Sequence, residues 1–284
     1  MRMTRSLAMV PALLLMAACS NYANVRTFAG SLQVVTTDTA TIVAADEASC
    51  AQNSALQAEY VMLEHQQLAL PDCAKLRNTL SAILIESQAL QAYGAALATL
   101  AQDQFVTSDA DAKAATAGLS ATGLVQAPVV TAVSTIFGFV ETAALEGYRK
   151  GKLLDAMTGA NAAAFKTLVA SFDVLSKQYA VALRGQIANI DIISNVFAHN
   201  HGATEPLATM EVKLRLATLK ASIAAKAAAL KDFDDALAKL DPAFDAAADD
   251  TGHPSDREIY ESIKTFAGKA KTVHAAVLKA FGAP

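Results

Sequence analysis

Residues 160–198 read ANAAAFKTLVASFDVLSKQYAVALRGQIANIDIISNVFA. Phe165, Leu168, Phe172, Leu175, Tyr179, Leu183, Ile187, Ile190, Ile193 and Phe197 recur at steps of three and four. That spacing is the apolar face of a single amphipathic helix, running for about nine turns. No strand alternation interrupts it. A helix this long needs long partners to cover its stripe, so the stretch predicts a bundle of long helices.

The flanking sequence supplies those partners. Residues 206–240 repeat the pattern through Leu216, Leu219, Ile223, Ala227, Leu230, Phe233, Leu237 and Leu240. Pro206 suits a first turn, and Asp241-Pro242 predicts the stop. Ser255 and Glu258 have the spacing of a capping box ahead of Ile259, Ile263, Phe266, Ala270, Val273, Val277 and Phe281. Upstream, Asp72 can cap a helix over 72–102 bearing Leu76, Leu80, Ile83, Leu90, Leu97 and Leu100, with a loop over 103–109. Phe28, Leu32, Val35 and Ile42 predict a first helix, which the threonine-rich run at 36–41 weakens. Alanine abounds, which favours helix and lets helices approach closely. The expected fold is therefore all-α, a bundle of long antiparallel helices.

Residues 114–140 carry no charged side chain. Pro128 divides them, so one helix is expected to end near Gln126 and another to start with Pro128 in its first turn. The expectation is a buried apolar hairpin near 114–146. Val129, Val133, Ile136, Phe137 and Val140 also mark a segment that could meet a membrane or a partner, since its length suffices to cross a bilayer.

The first residues have a different character. Arg2 and Arg5 precede an apolar run from Leu7 to Met16, which is too short for the roughly 20 residues of a bilayer span. Ala17, Ala18 and Cys19 follow. The stretch Leu15-Met16-Ala17-Ala18-Cys19 resembles the lipobox of bacterial lipoproteins, with Met16 where the family prefers Leu. The resemblance implies diacylglycerol on the Cys19 thiol, cleavage before Cys19 and usually N-acylation. Ser20, rather than Asp, implies the outer membrane, facing the periplasm. The expected organisation is a signal peptide over 1–18, a lipidated tether over 19–25 and one helical domain over 26–284.

Cleavage removes Arg2 and Arg5 and no acidic residue, taking the formal charge from −4 to −6 over 266 residues. A mildly acidic chain argues against a nucleic-acid partner. In an oxidising compartment Cys50 and Cys73 are expected to form a disulfide contributing roughly 3 kcal/mol. An unbroken helix to Leu70 would place Cys50 roughly 30 Å from a turn at Pro71, so a break after Cys50 is expected, with 54–69 as a separate excursion.

Three polar groupings deserve weighing as chemistry. His199 and His201, with Asn200 and Glu205, read as a solvated loop rather than a metal site. Asp249, Asp250, His253 and Asp256 match no calcium-loop pattern and read as a linker before a helix. Glu141 and Glu146 precede Arg149, Lys150 and Lys152 and read as salt-bridging partners. No catalytic residue, cofactor or metal site is assigned. The expected role is a non-enzymatic interaction or scaffold protein of the envelope, held to the membrane through Cys19 and binding an envelope protein. The alternatives are a membrane-active protein using 114–140 and a periplasmic protector against a toxin.

Overall fold

The computed structural model describes residues 22–64, 71–104, 106, 119, 126–146, 152–252 and 257–282. All described elements are α-helices: α1 (Ala23–Glu64), α2 (Cys73–Leu100), α3 (Ala127–Leu145), α4 (Leu153–Met157), α5 (Gly159–His201), α6 (Pro206–Gly252) and α7 (Arg257–Phe281). The six longer helices form a ring in the order α1, α2, α3, α5, α6, α7, which closes through α7 against α1. Helix α1 also touches α5 and α6 across the ring. The all-α bundle is thus the observed fold.

Cross-helix contacts give the directions. Ser87 reaches Thr36 and Arg77 reaches Glu47, so α1 and α2 are antiparallel. Lys220 pairs with Asp191 and Lys166 with Asp245, so α5 and α6 are antiparallel. Phe28 meets Phe165 and Gln186 bonds the Ser49 carbonyl, so α1 and α5 run parallel. Helix α7 also runs parallel to α1, because Phe28 meets Phe266 and Asp38 meets His274. The expected antiparallel pattern therefore holds for some neighbours and not for all.

The centre of the core is aromatic. Phe28, Tyr93, Phe139, Phe165, Phe244 and Phe266 come one from each long helix and touch in a single cluster. Phe165 and Phe244 stack with centroids 4.1 Å apart. The Tyr93 hydroxyl donates to the Ala156 carbonyl at 2.7 Å, which ties in α4. Close approach also needs small residues. A Cβ on Gly94 would lie 3.3 Å from the Ala29 carbonyl oxygen, so glycine lets α2 sit against α1 there.

Several boundaries match the local chemistry. Asp72 accepts the Lys75 amide at 3.0 Å, as a cap should. Pro128 lies in the first turn of α3. Three differ from expectation. Helix α1 runs unbroken through Cys50 to Glu64, yet Cys50 and Cys73 are disulfide-bonded with Cα atoms 5.8 Å apart. The two are compatible because α1 ends before Pro71. Glu64 stands about 21 Å beyond Cys50, and the nine chain steps from Glu64 to Cys73 can reach about 30 Å. Residues 54–64 are thus part of α1, and residues 65–69 lie outside the described residues.

The threonine-rich run stays helical because Thr36, Thr37, Thr39 and Thr41 give their hydroxyl protons to carbonyls three or four residues back. Helix α6 continues through Pro242 to Gly252 instead of stopping at Asp241. Its buried stripe stays in phase across the proline as Leu237, Leu240, Phe244 and Ala247, so tertiary packing outweighs one lost backbone bond. At the other end of the domain, Ala23 opens α1 and Val25 is fully buried, inside the stretch expected to be tether. The capping serine Ser255 lies outside the described residues. So does the first arm of the expected apolar hairpin, save the buried Leu119.

The described helices begin at Ala23, so a chain beginning at Ser20 contains every described helix. Replacing Phe165 with Ala is expected to cost about 3–5 kcal/mol in urea unfolding, because it removes a ring from the centre of the cluster. Leu214→Ala, at a site 69% exposed, should change stability by less than about 0.5 kcal/mol.

Candidate functional site

The ring is closed at the aromatic level but not along its full length. Helix α3 has 19 residues, against 28 in α2 and 43 in α5. Beyond its start at Gln126 and Pro128, the cleft between α2 and α5 forms a groove of about 610 Å³. Leu80 and Ile83 supply the α2 wall, and Ala170, Val174 and Leu175 the α5 wall. Val174 is 52% exposed at the rim. Asp46 reaches the groove from α1, and Glu86 from α2.

Both carboxylates are in phase with apolar stripes, which is why they are buried. Glu86 lies between Ile83 and Leu90, and Asp46 between Ile42 and Ser49, on faces that turn inward. Glu86 is 2% exposed and Asp46 4%. Burial pushes the Glu86 carboxyl up to about 7, with the Ser171 hydroxyl acting the other way. Ser171 has one hydroxyl proton and two acceptors in reach, Glu86 Oε2 and the Leu168 carbonyl. Burial alone pushes Asp46 up to about 6. Asp46 makes no hydrogen bond or ion pair among the described residues.

A polar relay lies next to Asp46. Lys226 Nζ donates to Ser49 Oγ at 3.3 Å, Ser49 donates to Tyr179 Oη at 2.7 Å, and Tyr179 donates to the Ala45 carbonyl at 3.1 Å. Burial lowers the basicity of Lys226. A serine beside such a lysine is the pairing of a nucleophile with its base. Here Ser49 is 1% exposed and lines neither the groove nor the small cavity of about 50 Å³ between Tyr60, Phe197 and Leu216. The relay therefore satisfies buried polar groups and joins α1, α5 and α6.

The residues singled out from sequence fall elsewhere. Val133, Ile136, Phe137 and Val140 are buried against the core, and Val129 is half-buried at the groove mouth. Helix α3 is long and apolar enough to cross a membrane, with mean hydropathy 1.5. Yet it has two faces, and the outward one carries Thr131, Ser134 and Glu141. His201 stacks on Phe197 and lies 3.6 Å from Glu205. Asp250 is buried and hydrogen-bonded by Asn24, while His253 and Asp256 lie outside the described residues. Glu141 and Glu146 are exposed at the end of α3. No cluster of three metal-ligating side chains occurs among the described residues. At the far tip Leu207, Met210 and Leu214 are exposed on α6. Known protein families, curated proteins and solved structures give no match to this chain, so the site rests on its own geometry.

The raised carboxyls make stability depend on pH. The folded chain binds protons near pH 6 and 7, while unfolded carboxyls titrate near about 4. Stability must then rise as pH falls through that window. Among the described residues, Tyr179 interacts with Asp46 and Ser171 with Glu86. Urea unfolding at pH 5 should exceed that at pH 8, and the double variant Asp46→Asn/Glu86→Gln should lose up to about 4 kcal/mol of that gain.

Proposed function

We propose that this chain is a lipid-anchored envelope protein that works by binding, with the α2–α5 groove as its binding site. The observation that carries the reading is the groove itself, an open apolar cleft of about 610 Å³ with two buried carboxylates in its described lining. Ligand sites are concave, mostly apolar and fitted with few polar groups, and this cleft has that character. The proposed anchor is Cys19, on the strength of the lipobox-like stretch, with the bundle facing the periplasm from the outer membrane. Helix α1 starts four residues after Cys19, so the bundle would stand directly on the bilayer by the end bearing Phe28.

The alternative, in which α3 leaves the bundle for lipid, draws support from its hydropathy and none from its hydroxyl-bearing outer face. A Cys19→Ser chain is expected to leave the membrane fraction without a change in its urea midpoint; retention would implicate α3 instead. The chain beginning at Ser20 is expected to leave dye-loaded anionic liposomes intact between pH 5 and pH 8. Binding is tested by native mass spectrometry of the chain purified from envelope extracts. A bound species that disappears in Val174→Trp, which fills the groove, is the expected result. A species unaffected by that change would place binding outside the groove.

A further inference from the structure

The described lining of the groove holds two charged side chains, and both are acids. Asp46 is the informative one. It is 4% exposed, faces the groove and has no hydrogen-bond or ion-pair partner among the described residues. A mostly buried carboxylate whose oxygens open only into an apolar groove is poorly solvated, and a cation seated there offsets that cost. Glu86 differs, since Ser171 already contacts it. Arg77, next in sequence to the lining residue Leu76, is engaged by Glu47, and no basic side chain stands among the described lining residues.

Size narrows the occupant. The walls extend from Leu76 to Glu86 on α2, about 15 Å at the helical rise. The groove has about 610 Å³, within the roughly 300–1,000 Å³ of small-molecule sites. An anion would be repelled, and a neutral amphiphile would leave Asp46 unpaired.

We propose that the groove binds an amphiphilic organic cation, its hydrocarbon body against Leu80, Ile83 and Val174 and its single positive head on Asp46. This rests on the reading of the groove as a binding site, and goes beyond it in naming the ligand chemistry. The body gains from the apolar walls, and the head supplies the missing partner of Asp46.

The test uses the chain beginning at Ser20 and three probes with the same twelve-carbon tail, each below its micelle concentration. They are dodecyltrimethylammonium, dodecanoate and dodecyl maltoside, followed by titration calorimetry at pH 8. The quaternary head is chosen because its charge does not titrate. The expected result is binding of the ammonium probe at least about tenfold tighter than of the other two. Asp46→Asn should remove that preference, Glu47→Gln should keep it, and Val174→Trp should abolish binding. Circular dichroism and the urea midpoint of each variant confirm that it is folded.

Equal binding of all three probes would overturn the cation assignment and leave the groove reading standing. Binding of none of the three probes and of no cationic amphipathic peptide, or binding that survives Val174→Trp, would overturn both. Capture of a cationic amphipathic peptide without capture of the ammonium probe would overturn the small-ligand assignment in favour of a helix partner.

Discussion

The bundle depends on a layer of six aromatic rings, one from each long helix, that meet around the stacked pair Phe165 and Phe244. Rings this large dominate a core otherwise built of Ala, Leu and Val, because each buries much more surface than its neighbours. Meeting at one level, they fix how far each helix slides along the next. What lies above that level follows from helix length. Helix α3 extends only twelve residues from Phe139 back to Ala127, about 18 Å. Helix α5 extends from Phe165 to His201, about 54 Å. Among the described residues, the groove lies beyond the start of α3, between the longer α2 and α5.

Above the aromatic layer the core turns polar. Asp38 meets His274 at 2.8 Å, Ser87 bonds the Thr36 carbonyl, Ser176 bonds Asp234, and Glu86 bonds Ser171. Burial raises the carboxyls of Asp38, Asp46 and Glu86 alike, with His274 acting against the rise at Asp38. Such groups oppose folding at neutral pH. The disulfide between Cys50 and Cys73 sits at the upper end of this polar region, where it removes roughly 3 kcal/mol of freedom from the unfolded chain. The crosslink and the buried carboxylates thus have effects of similar size and opposite sign.

Helix periodicity carried most of the fold into view from sequence. The stripes of α5 and α7, the Asp72 cap and the cysteine pair are local or nearly local features, and they are found where the spacing puts them. Failures came where a local rule met a tertiary one. Pro242 reads as a stop, but Phe244 and Ala247 continue the buried face beyond it. The break after Cys50 followed from placing the reversal at Pro71, when α1 ends at Glu64. The groove is less legible still, because it arises from ring order and unequal lengths, neither of which is written in any one segment. A signal did exist. Glu86 and Asp46 stand in phase with apolar stripes, and an acid at such a position marks either a buried network or the wall of a site.

The uncharged segment and the groove are connected. An apolar helix without charge suggests lipid only if all its faces are apolar. In α3 the inward face is Val133, Ile136, Phe137 and Val140, while Thr131 and Ser134 turn outward. Hydroxyls suffice to meet water, so the lack of charge is compatible with a helix on the outside of a ring. Its start at Pro128 then forms one end of the groove. Along α1 the groove spans the levels of Thr36, opposite Ser87, to Asp46, which is about 20–35 Å from Ala23. With Cys19 held in a bilayer as proposed, the groove opens sideways and well above the headgroups. A ligand would then arrive from the aqueous compartment rather than by diffusion within the membrane, and its charged head would be solvated until Asp46 replaced that water.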